Sequence, residues 1–141
     1  MAIKIGKLGI LLFSLFLFNC EKESCPTKPE NGVNEDPSFK TEIQPIFIEN
    51  CAVAGCHNSS AAAGLDLSEN FAYHNLVDKP SQQAQDKKLV LPSNPDDSYL
   101  IIKLENRQTN GTAQMPLGAT PLSIDEIKII KNWISKGAKN N

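Results

Sequence analysis

The sequence holds little of what a self-sufficient core or a catalytic apparatus uses. Aromatic residues make up 6% of its 141 positions, with one Trp and two Tyr. Histidine occurs only as His57 and His74, and methionine only as Met1 and Met115. No block of Lys and Arg is present, which argues against nucleic acid as a partner. No stretch alternates polar and apolar residues for the length of a strand, so no sheet is expected. There is no internal repeat. Ser59 and Ser60 are the conspicuous hydroxyls near the cysteines, and no nucleophile, base and acid stand together. An enzyme in its own right is therefore not expected. The longest apolar run falls short of the roughly 18 residues of a membrane-spanning helix.

That run lies in the opening stretch "MAIKIGKLGILLFSLFLFNC". Lys4 and Lys7 make a positive leader, Leu8 to Phe18 is almost wholly apolar, and the run stops at Asn19-Cys20. Length and flanks fit a signal peptide over residues 1–19. An apolar run ending at a cysteine resembles the lipobox of bacterial lipoproteins, although Asn19 stands where Gly, Ala or Ser is usual. The resemblance makes Cys20 the lipid-bearing residue and the new N-terminus. A plain secretory signal followed by an incidental cysteine is the alternative. Both imply export, to the periplasm or the cell surface, with the lipid as anchor to a bacterial membrane in the first case. Such compartments are oxidising, so the remaining thiols would be bridged or hold a cofactor. Loss of residues 1–19 takes two lysines from 14 basic residues and none from 16 acidic ones, so the formal charge moves from −2 to −4.

Residues 20–37 are charged and rich in Pro and Asn, and read as a flexible tether. Cys25 falls within it, with no evident role. The folded domain is expected over 38–141. "SFKTEIQPIFIENC" has helical spacing at Phe39, Ile43, Ile46 and Phe47, and Pro45 predicts a kink or a helix start there. "SENFAYHNLV" presents Phe71, Leu76 and Val77 as an apolar side. In "PDDSYLIIKLEN", Asp96 or Ser98 is placed to cap a helix with Leu100 and Leu104 on one face. "LSIDEIKIIKNWISKGAKNN" is the clearest helix. Ser123 and Glu126 form a capping box, Leu122 and Ile127 a hydrophobic staple, and Lys136-Gly137 a stop. The fold class read from these is all-α.

The chemistry concentrates in "NCAVAGCHNSS", where Cys51, Cys56 and His57 lie within seven positions. Covalent haem attachment uses two thiols and a histidine directly after the second, commonly as C-x-x-C-H. Here four residues separate the cysteines. The small Ala52 and Ala54 and the flexible Gly55 would let the extra residues bulge out. A Cys51–Cys56 disulfide in an exported protein is a second reading. Zinc would ask for a further Cys/His pair that the domain lacks. Copper centres usually space the cysteine from the next histidine, which adjacent Cys56-His57 does not. If iron takes a sulfur ligand from the mature chain it must be Met115, in the loop "TAQMPLGATPLS"; His74 competes for that place.

Three segments taken together resemble the small c-type cytochrome domain of bacterial exported proteins, including the planctomycete-type domains. They are "IQPIFIENCAVAGCHNSSAAAGLDLS", "LVLPSNPDDSYLIIKLEN" and "QMPLGATPLSIDEIKIIKNWISKGA", and they cover nearly all of 43–138. The resemblance implies a small cytochrome c-like fold with its terminal helices packed beside one covalently bound haem c. It implies thioether links at Cys51 and Cys56, His57 as proximal iron ligand and Met115 as distal ligand. Phe47 and Trp133 match aromatics of the N- and C-terminal helices. The function implied is a membrane-tethered carrier of single electrons between redox partner proteins. A haem-based sensor, or a non-haem lipoprotein domain, is the alternative.

Overall fold

The last helix shows how directly local sequence becomes structure. In a computed structural model of the protein, which describes residues 34–141, α4 spans Ile124–Ser135. Ser123 Oγ accepts the Glu126 N–H at 3.2 Å, and Glu126 Oε2 accepts the Ser123 N–H at 2.7 Å. This reciprocal box satisfies donors that a helix start leaves bare. At the other end Gly137, at φ +97°, donates to the Ile134 carbonyl, and Ala138 donates to that of Trp133. That pair of bonds is a Schellman motif, which glycine permits because positive φ costs it nothing. Ile130, Trp133 and Ile134 form the buried face.

Ahead of it come three short helices: α1 (Gln44–Asn50), α2 (Ala72–Leu76) and α3 (Tyr99–Leu104). A π-helical turn, Phe39–Ile43, leads into α1. Pro45 sits in the first turn of α1, directly after the π turn whose last bond runs from the Gln44 N–H to the Phe39 carbonyl, and its lack of an N–H coincides with the change from π to α pairing. Among the described residues there is no strand, only two isolated bridges, Val77 with Val90 and Pro80 with Lys88. No described helix is long and apolar enough to cross a membrane.

Four of the six described aromatics form one cluster. The Phe39 ring lies 5.2 Å from Tyr73, 5.3 Å from Trp133 and 6.4 Å from Phe47, centroid to centroid. It thus joins α1, α2 and α4. The ends of the described chain are tied to this cluster. Phe39 N–H donates to Asn141 Oδ1, Lys40 N–H to the Asn141 carbonyl, and Tyr73 Oη–H to the Ala138 carbonyl. Lys131 of α4 pairs with Asp96 and with Glu105, at either end of α3, at 2.9 and 3.1 Å.

Three expectations shift. Pro37 is fully buried, and Asp36 pairs with Lys139, so packing begins before residue 38. Of the expected apolar side, Leu76 is buried, whereas Phe71 is 56% exposed, because α2 starts one residue later and buries Ala72 in its place. Ser98 precedes α3 but does not cap it; its hydroxyl accepts the Leu91 N–H and donates to the Asn94 carbonyl. The expected leader, Cys20 and Cys25 lie outside the described residues.

Candidate functional site

Cys51 closes α1, where its N–H donates to the Phe47 carbonyl at 2.9 Å. The chain then leaves the helix and returns. The Cys56 N–H donates to the Val53 carbonyl, and the His57 N–H to the Cys51 carbonyl, both at 3.0 Å. Gly55 has φ +78°, the conformation a type II turn demands at its third residue. The long spacer is thus a self-closed turn. Val53, Ala54 and Gly55 are exposed, while Cys51, Cys56 and His57 are half-buried.

Beyond His57 the chain folds back on itself. The Leu67 N–H donates to the His57 carbonyl at 2.7 Å, and the His57 Nδ1 lies 3.2 Å from the Leu65 carbonyl. A carbonyl can only accept, so Nδ1 carries a proton in this contact, and in the neutral ring Nε2 is then the nitrogen with the lone pair. Metal-binding imidazoles are commonly fixed in this way through the other ring nitrogen.

His57, Cys51 and Met115 line one cavity of about 250 Å³. Leucines form much of its wall, including Leu65, Leu67 and Leu76 from one side and Leu100 and Leu104 of α3 from another. Lys79, Ser81, Gln82 and Gln83 give it one polar margin. Gly64 has φ +71°, a conformation that favours glycine, and its Cα faces the end of the exposed Gln82 side chain.

Met115 reaches the cavity from the loop after α3, with its N–H donating to the Lys103 carbonyl at 3.1 Å. It lies 58 positions after His57 in sequence. Cys56 stands next to His57 but does not itself line the cavity. His74 is exposed, beside Tyr73, in a separate groove with Lys40 and Gln44. Both cysteines are free thiols. Burial, with smaller contributions from Cys56 and Glu126, pushes the Cys51 thiol up to about 12. It is therefore a neutral thiol near pH 7. Among the described residues no three His, Cys, Asp or Glu side chains gather as a chelating group.

An imidazole with a fixed tautomer and a thioether on one apolar-walled cavity, with thiols beside it, is a donor set suited to iron in a porphyrin. Two contributors carried no side-chain signal in the sequence or were passed over there. The Leu65 group at work is a backbone carbonyl. Lys103, by contrast, was visible as a lone lysine inside the buried run "YLIIKL".

No family model and no curated protein matches the chain. Its fold is shared with part of a solved structure, the hydrazine synthase of Kuenenia stuttgartiensis. The TM-score is 0.50 and the identity 23%, over 72% of this chain and 16% of that one. At that identity the likeness is one of fold. The fold and site together define a helical domain built around a cavity with histidine and methionine in its wall.

Proposed function

We propose that the protein is a membrane-tethered mono-haem c-type cytochrome, with a cytochrome c-like fold, that carries single electrons between redox partners in the cell envelope. The observation that carries this reading is that His57, with Nδ1 committed to Leu65, and Met115 share one apolar-walled cavity with Cys51. In this reading Cys51 and Cys56 bear the thioether links, and His57 Nε2 and Met115 Sδ are the iron ligands. The haem supplies one-electron chemistry at iron, and a His/Met pair favours its ferrous state.

The chain's own residues do the rest. The Leu65 carbonyl holds the His57 tautomer, α3 holds the Met115 loop, and the leucines supply an apolar wall. If His57 and Met115 both bound the iron, no place on it would be left for a substrate, and the protein would act as a carrier. The apolar leader ending at Cys20 supports export and a lipid anchor.

The test is production in a periplasm that matures c-type cytochromes. Expected are a haem-stained band after denaturing electrophoresis, a mass gain on the order of 600 Da and a reduced c-type spectrum. Absence of covalent haem, where a control cytochrome is matured in the same cells, would sink the reading. A loss of two hydrogens instead would support a Cys51–Cys56 disulfide in a non-haem lipoprotein.

A further inference from the structure

We propose that Lys103 is a positioning residue for Met115, holding the methionine loop against α3 and setting a fixed positive charge in the cavity wall. The inference rests on the haem reading above. Its starting point is a lysine where the fold has little reason to keep one. Lys103 is 6% exposed, between the buried Ile102 and Leu104, and lines the cavity. A lysine at a core edge normally extends its stem so that the ammonium reaches water. This one turns inward. Its Nζ donates to the Ala113 carbonyl and lies 6.0 Å from the centre of the Tyr99 ring. Among the described residues no carboxylate lies within ion-pair distance of it. A buried cation without a counter-ion is costly. Stability alone would favour an apolar residue of similar size.

What Lys103 touches shows what it holds. Its backbone carbonyl accepts the Met115 N–H at 3.1 Å, while its side chain takes Ala113. The next residue, Leu104, accepts from Gln114 Nε2 at 2.9 Å. One turn earlier the Tyr99 hydroxyl pairs with Thr112 Oγ1 at 3.1 Å and accepts from Asn110 Nδ2 at 3.0 Å. Residues 112 to 115 are thus each fastened to α3, and Lys103 fastens the loop on both its backbone and its side chain. The charge has a second effect. Ferric haem carries one more positive charge than ferrous, so a cation buried in the same wall disfavours oxidation. Lys79 also lines the cavity, but it is exposed and screened by solvent.

The experiment uses the periplasm-matured, full-length holoprotein with Lys103→Met, which keeps the bulk and removes both donor and charge, and Lys103→Arg, which keeps both. Covalent haem is scored by stain and mass. The methionine-to-iron charge-transfer band of the oxidised protein reports the ligand, and a redox titration reports the oxidised-to-reduced ratio. The Met variant should keep covalent haem, weaken the band and raise that ratio at fixed potential on the order of tenfold, equivalent to about 59 mV for one electron. The Arg variant should stay within about twofold of the unmodified protein. If Lys103→Met does not fold, Lys103→Gln, polar and uncharged, is judged by the same ratio. Haem-loaded Met or Gln variants with unchanged ratio and band overturn this inference alone. An unmodified protein without covalent haem overturns the haem reading and this inference with it.

Discussion

Phe39 should be worth far more to this domain than Phe71, although both are phenylalanines flanking short helices. Phe39 is 6% exposed and meets three other rings at 5.2 to 6.4 Å, whereas Phe71 is 56% exposed. Truncating a buried Phe to Ala costs about 3–5 kcal/mol through lost transfer energy and the hole left behind. Each aromatic pair adds about 0.5–1.5 kcal/mol beyond area burial, so Phe39→Ala belongs at the upper end of that range. Phe39→Leu keeps most of the bulk and forfeits the ring contacts, for a loss of about 1–3 kcal/mol. Phe71→Ala should stay within about 0.5 kcal/mol. For a domain whose whole stability is about 5–15 kcal/mol, the first change removes a large fraction. Urea unfolding followed by the fluorescence of Trp133, whose ring centre lies 5.3 Å from that of Phe39, reads all three variants. Phe39→Ala should also loosen the site, because Phe47, its ring neighbour, accepts the N–H groups of Cys51 and Ala52. A Phe39→Ala midpoint no lower than that of Phe71→Ala would refute the claim that this ring joins the helices.

In the haem-free folded chain, Cys51 should alkylate on the order of 10³-fold more slowly at pH 8 than a free cysteine, whose ordinary pKa is about 8.5, because its thiol is pushed up to about 12. Labelling it at the free-cysteine rate would contradict that burial. The sign for stability follows. The folded state holds this proton more tightly, so its contribution is full below about pH 9 and is lost as pH rises toward 12. Under the haem reading, carbon monoxide should bind the ferrous protein poorly and its Met115→Ala variant readily. Fast, tight binding to the unmodified protein would favour a sensor. Ser123→Ala should cost about 1 kcal/mol by opening the capping box, visible as a fall of about 4–8 °C in Tm; an unchanged Tm would mean the box contributes nothing. Cys51→Ala/Cys56→Ala, made without covalent haem, should lose most of its cooperative melt, and a melt equal to that of the unmodified protein would count against a structural role for the haem.

The parts of the fold that were legible in the sequence are those determined within one turn of helix. Ser123, Glu126, Lys136 and Gly137 define both ends of α4 because caps are local hydrogen bonds. Pro45 marks the start of α1 for the same reason. Phe71 was misplaced because apolar spacing over a five-residue helix leaves the facing side undetermined; the packing of Ala72 and Leu76 decides it. Ser98 has the composition of a cap, yet Leu91 and Asn94 compete successfully for its hydroxyl. At the site, adjacent Cys56-His57 was visible as chemistry, and Met115 as a candidate by its scarcity. Their tertiary setting was not. That Met115 shares a cavity wall with His57 depends on α3 holding the 112–115 loop, and that Nδ1 of His57 is occupied depends on a carbonyl eight residues away.

The energetics of the cavity bear on what the domain was built to hold. The hollow holds about 250 Å³, with leucines forming much of its wall, and is open at a polar margin around Lys79 and Gln82. A ligand that covers its apolar wall stabilises the fold by about 25 cal/mol per Å² removed from water. The aromatic cluster around Phe39 and the knotting of Asn141 onto Phe39 and Lys40 stabilise the fold elsewhere, and neither fills the hole. Nor is the cavity a gap between poorly fastened loops. His57, Leu67 and Met115 are each held in its wall by a backbone N–H bond of 2.7–3.1 Å. A small chain that spends this much hydrogen bonding on keeping a leucine-lined hollow open gains stability when a flat apolar ligand occupies it. The porphyrin of the proposed haem reading would be such a ligand, with His57 and Met115 in the same wall as donors for its metal.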